Sequence, residues 1–117
     1  METETKPVWT TTREAMGKVW TIGLYPNDVV LGGSDGSGSA LQASVTIRDQ
    51  LIAIKSGMGF NHRDETLLHE LIETCLVEME IPYKHPDVDR LSFALFAFLR
   101  GFGLWHDFPW PDRTEEK

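Results

Sequence analysis

Apolar and polar positions change rhythm partway along this chain. Between residues 18 and 55 they come in short alternating runs, and beyond residue 65 they recur every third and fourth position. Residues 18–25, K-V-W-T-I-G-L-Y, alternate and are rich in β-formers, which predicts a strand. Residues 41–48 (L-Q-A-S-V-T-I-R) and 51–55 (L-I-A-I-K) predict two more, joined as an antiparallel hairpin through Asp49 and Gln50. A short extended piece at 29–31 precedes them. From Glu65 to Glu80 the apolar residues Leu67, Leu68, Leu71, Ile72, Cys75, Leu76 and Met79 form one helical stripe, expected to face a core. Asn61 or Asp64 caps that helix, and Pro82 marks its end. A second helix opens at Pro86-Asp87, with proline suited to the first turn, and runs to about Arg100 before Gly101 or Gly103 stops it. The pattern predicts an α+β fold: a small antiparallel sheet of about three strands followed by two packed helices.

The flanks are less regular. Residues 1–17 read as a polar N-terminal segment, in which T-T-T at 10–12 caps one short helical turn that Gly17 ends. Residues 18–104 form the α+β domain, and 105–117 an aromatic and then acidic tail. The stretch G-G-S-D-G-S-G-S at 32–39 lacks the Gly-Lys-Ser/Thr ending of a phosphate loop and reads as a flexible connection. The second helix is apolar nearly all round. Val88, Leu91, Leu95, Phe98, Leu99 and Phe102 share one face, and Phe93, Phe96 and Ala97 lie opposite. Such a helix is sandwiched in its domain or covered by a partner. The tail, with Trp105, Phe108 and Trp110, is expected to fold back over Phe93 and Phe96. Homodimerisation through the second helix and the tail is the alternative.

Composition narrows the function. At 117 residues, 41% hydrophobic and 25% charged, the chain suits one globular domain. A net charge of −7 disfavours nucleic acid, because neutralising phosphates needs clustered Lys and Arg. The lone cysteine, Cys75, permits no intrachain disulfide and fits a reducing cytoplasm; its place on the apolar stripe reads as that of an inert small hydrophobe. The start M-E-T-E-T-K lacks the basic and apolar regions of a signal peptide, and no apolar run is long enough to span a bilayer.

The chemistry concentrates in T-L-L-H-E-L-I-E-T-C-L-V-E-M-E-I-P-Y-K-H at 66–85. On a helix His69 and Glu73 stand about 40° apart and one turn along the axis, so they can grip one ion from the same side. Glu70 is offset by one residue, as is the glutamate of H-E-x-x-H that reaches a metal-bound water without ligating the metal. His85 is the third ligand: it precedes the second helix, whose N-terminal partial positive charge favours the neutral, metal-binding imidazole. The sum is two histidines, a glutamate and a water, the inventory of a catalytic zinc site. Closure requires the segment 81–84 to run back along the first helix over about 10 Å to Glu73. Four or five extended residues span roughly 15 Å. His62, Asp64, His106 and Asp107 are the reserve ligands. The competing reading makes Glu70, Glu73, Glu78 and Glu80 an ordinary solvated face.

T-L-L-H-E-L-I-E, followed by His85 and a long apolar helix, resembles small phage- and prophage-encoded metallopeptidase-like proteins related to the gluzincins, in the branch with H-E-x-x-E and a later histidine. The resemblance covers about residues 41–100. It implies that His69, Glu73 and His85 bind zinc and that Glu70 polarises the water as general base. The implied activity is that of a zinc-dependent peptidase acting on a peptide or protein in the cytoplasm of a bacterial host. Glu73 stands where most zincins carry histidine, and so short a chain has little wall for a substrate cleft. A non-catalytic regulatory or protein-binding module on the same scaffold, with the metal absent or structural, is the alternative.

Overall fold

The computed structural model describes residues 6–26, 43–46 and 49–112. The extended piece expected at 29–31 and the Gly/Ser connection at 32–39 lie outside them. The arrangement is α+β, a mixed sheet of four strands followed by two helices. The chain divides into two compact units, Met1–Met58 with the sheet and Gly59–Lys117 with the helices.

The sheet unit contains β1 (Trp9–Ala15), β2 (Lys18–Tyr25), β3 (Ala43–Thr46) and β4 (Leu51–Lys55), in the spatial order β1-β2-β4-β3. β1 replaces the helical turn expected near residue 10. Its run of β-branched threonines favours extended backbone, and Met16 and Gly17, at φ 55° and 75°, make the two-residue turn that folds β1 antiparallel onto β2. β3 and β4 form the expected hairpin, with Thr46 opposite Leu51 and Gln50 at φ 53° in the turn. The sheet is not wholly antiparallel, because β2 and β4 run parallel from Thr21↔Leu51 to Tyr25↔Lys55. Residues 26–50 separate those strands, more than the dozen a parallel crossover needs. With β3 occupying one edge of β4, the other edge is left for β2. The parallel register sets Ile22 beside Ile52 and Leu24 beside Ile54, and all four are buried. At Gly23 a Cβ would stand 2.9 Å from the ring of Tyr25, so glycine there lets the tyrosine lie along its own strand.

The helical unit contains α1 (Phe60–Glu78), α2 (His85–Gly101) and the tail. α1 starts earlier than expected, with Gly59 as N-cap in place of Asn61 or Asp64. It ends in a Schellman motif: Ile81 N–H donates to Leu76 O (2.8 Å), Glu80 N–H to Val77 O (3.0 Å), and Glu80 takes the left-handed position at φ 59°. α2 ends the same way at Gly103, φ 73°, with Leu104 N–H donating to Leu99 O at 2.8 Å.

The buried arc of α1 is rotated towards its polar side. Arg63, Asp64, Glu70, Glu73 and Thr74 are buried with Leu67 and Leu68, whereas Leu71, Cys75 and Met79 are exposed. The apolar stripe therefore does not serve as one continuous core face, and Cys75 is not a core residue. On α2 the buried positions are Val88, Ser92 and Phe96; Leu91, Phe98 and Phe102 face solvent.

The tail folds back, but onto α1 as much as α2. Asp64, fully buried, accepts hydrogen bonds from the indoles of Trp105 (3.0 Å) and Trp110 (2.7 Å) and from Phe108 N–H (3.4 Å). Arg63 forms a two-pronged pair with Asp112 at 2.8 and 3.0 Å, and its guanidinium lies over the Phe60 and Trp110 rings. Trp105 meets Phe96 edge-on at 5.3 Å, while Phe93 stays 67% exposed, so the expected cover reaches only Phe96. No helix among the described residues is long and apolar enough to cross a membrane.

Candidate metal centre

Each helix carries a histidine and a carboxylate one turn apart: His69 and Glu73 on α1, His85 and Asp89 on α2. His69–Glu73 is an i,i+4 pair at the border of the buried arc, where backbone geometry aims both side chains the same way. The connection 81–84 is non-helical and returns the chain so that His85, the first residue of α2, comes level with Glu73.

The expected residues meet. Glu73 Oε2 lies 2.7 Å from His85 Nδ1 and 3.3 Å from His69 Nε2. The two imidazole rings stand edge to face at 5.2 Å between centroids. Glu70, also buried, offers a carboxylate oxygen that forms with His69 and Glu73 a group of ligand atoms mutually within 4.8 Å. His69, His85 and Asp89 form a second such group, sharing His69. Five residues thus make one cluster, graded in access from the nearly buried Glu73 to Asp89, whose side chain is 62% exposed.

Asp89 was not singled out by the motif. Its Oδ1 lies 3.2 Å from His69 Nδ1. The spacing H-x-x-x-D at 85–89, repeating the H-x-x-x-E of 69–73 on the next helix, is the signal that marks it in the sequence. None of the reserve ligands joins the cluster: Asp64 is engaged by the tail, Asp107 pairs with Arg100 at 3.0 Å, and His62 and His106 are exposed.

Three negative charges surround His69 and hold its pKa above the ordinary 6.5. The adjoining Glu73 carboxylate is the largest cause; burial works against it, and Glu70 and Asp89 add to the rise.

The donor set fits a divalent cation of the zinc type on two counts. Glu73 Oε2 is buried and has no correctly angled hydrogen-bond donor among the described residues, although two imidazole nitrogens stand beside it. A buried carboxylate oxygen in that state is costly unless a cation satisfies it. Imidazole nitrogen and carboxylate oxygen are also what zinc takes, and neighbouring ligands on a tetrahedral zinc stand about 3.3 Å apart. The His69–Glu73 separation of 3.3 Å has that spacing, and the 2.7 Å contact to His85 is tighter. No protein-family model, curated protein or solved structure shows significant similarity to this chain.

Proposed function

We propose that this protein is a zinc-dependent hydrolase acting on peptide bonds, with His69, Glu73 and His85 as ligands and Glu70 as general base. The observation that carries the reading is the approach of one buried, undonated carboxylate oxygen of Glu73 to two imidazoles from two helices. Zinc held there would supply a Lewis acid for the scissile carbonyl and a water acidified to near-neutral pH. His69 presents Nε2 and Glu73 presents Oε2 from one turn of α1, and His85 approaches from the start of α2. The Glu70 carboxylate, on α1 with His69 and Glu73, would take the proton of the attacking water and return it to the leaving amine.

The test uses protein purified without a histidine tag. Metal analysis after dialysis is expected to find one zinc per chain, lost in His69→Ala and in Glu73→Gln. Glu70→Gln is expected to keep the zinc and to lower cleavage of a mixed peptide library by about 10²–10⁴-fold. Sub-stoichiometric zinc that is the same in wild type and His69→Ala ends the reading.

A second reading, a protein-binding module, draws on a different observation. Leu91, Phe98 and Phe102 lie on one face of α2 and are 52%, 64% and 73% exposed. In this reading the occupant of that face is a second copy of the chain.

A further inference from the structure

His69 is contacted on both of its ring nitrogens. Nε2 lies 3.3 Å from Glu73 Oε2, and Nδ1 lies 3.2 Å from Asp89 Oδ1. The two nitrogens of an imidazole diverge, so a cation held at Nε2 beside Glu73 would use a different ring nitrogen from the one Asp89 approaches, although Asp89 also lies within reach of His85. The paired geometry of the helices produces this. His69–Glu73 on α1 and His85–Asp89 on α2 meet so that each histidine faces the carboxylate of the other helix: His85 lies against Glu73, and His69 against Asp89. The two contacts are not equivalent. Neither is angled as a hydrogen bond, and they differ in burial: Glu73 is 8% exposed, placed to give charge to an ion. Asp89 is 62% exposed, its charge largely solvated, while the His69 side chain it touches is only 14% exposed.

We infer that Asp89 is a positioning residue for the metal centre: it accepts the Nδ1–H of His69, fixes that tautomer, and leaves the Nε2 lone pair turned towards Glu73. The inference rests on the metal-binding reading proposed above. A neutral imidazole carries one N–H, and which nitrogen bears it is decided by the partner of the other. A carboxylate at Nδ1 makes Nε2 the free donor atom and stops the ring from rotating out of the site; such outer contacts tune affinity by orienting the ligand. With Asp89 used outside the ligand set, the protein would supply His69, Glu73 and His85 and leave room for a water or substrate. A hydrolytic site needs that opening.

The experiment is zinc affinity at about pH 7.5 by competition with a chromophoric chelator, on the full chain as wild type, Asp89→Ala, Asp89→Asn and His69→Ala. It is paired with the visible spectrum of the cobalt(II)-substituted protein and the melting temperature of the metal-free protein. Asp89→Ala is expected to weaken zinc about 10–100-fold, with cobalt band positions and metal-free melting temperature as in wild type. Asp89→Asn is expected to keep most of the affinity, because the amide oxygen still accepts from Nδ1. Asp89→Ala binding zinc as tightly as wild type overturns the inference. So does Asp89→Asn losing as much as His69→Ala with shifted cobalt bands, which makes Asp89 a ligand, and so does an affinity loss matched by a lower metal-free melting temperature. A wild type that binds no zinc removes the metal reading itself, a result separate from any difference among the variants.

Discussion

His69 sits where three carboxylates converge, and under the proposed metal reading its proton and the ion would compete for the same ring. With its folded pKa raised, the protonated ring is favoured by folding. The stability this gives the metal-free protein is fully present below 6.5, the unfolded value, and is lost as pH rises through the raised folded value. Zinc binding has the opposite sign, because it needs the neutral ring and weakens as pH falls through that same raised value. Melting temperatures measured between about pH 5 and 9, with and without zinc, are therefore expected to diverge as pH rises. The metal-free curve falls relative to His69→Gln, while the zinc-induced increment grows. A zinc increment in wild type with no pH dependence across that window contradicts the coupling. The residue types of this cluster were legible in the motif at 66–85. The contact with Asp89 was not, because no local rule says which carboxylate on the next helix comes level with a given imidazole.

Among the elements, α1 departs most from its own pattern. Its spacing of leucines identified a helix, and the helix is there. The spacing did not identify the buried face, which is turned towards Arg63, Asp64, Glu70 and Glu73. Two sets of contacts account for the buried polar side: the histidine–carboxylate cluster near the middle, and the tail near the start. Asp64 holds the tail by accepting three N–H donors, two of them indole. Asp64→Ala leaves these donors without their acceptor, and each buried donor so stranded costs about 1–3 kcal/mol. The expected result is a loss of at least about 2 kcal/mol in urea unfolding, with a red-shifted tryptophan emission as Trp105 and Trp110 gain water. Asp64→Asn, which keeps an acceptor oxygen, is expected to lose less. An Asp64→Ala protein with wild-type midpoint and emission would show that the tail is held by its ring packing alone. At β1 the local chemistry and the fold part: a Thr-rich run suits helix capping, but the Met16-Gly17 turn prevails because it gives each strand residue a partner on β2.

For the molecule as a whole, buried polar residues on α1 go together with apolar residues left exposed on both helices. Leu91, Phe98 and Phe102 on α2, and Leu71 and Met79 on α1, are exposed. Contiguous exposed apolar surface marks interaction sites more often than chance. If a second copy covers the α2 face, sedimentation velocity over a hundredfold concentration range is expected to show a monomer–dimer equilibrium that the double substitution Phe98→Glu, Phe102→Glu abolishes. Zinc content is expected to be unchanged, since neither residue touches the cluster. A wild type that stays monomeric throughout removes the dimer reading and leaves the hydrolase reading as it was.

The elements and the chemistry on offer were written locally. Alternation named three strands, three-and-four spacing named two helices, and H-E-x-x-E with a later histidine named the residues that meet at the centre. These follow from short-range rules, since a helix sets i and i+4 side by side whatever surrounds it. Long-range contacts set the rest. They made β2 and β4 parallel, rotated α1 to bury its acids, latched the tail on Asp64 and brought Asp89 to Nδ1 of His69. Each depends on which distant partner satisfies a buried polar group or a free strand edge, and local periodicity carries no record of that partner.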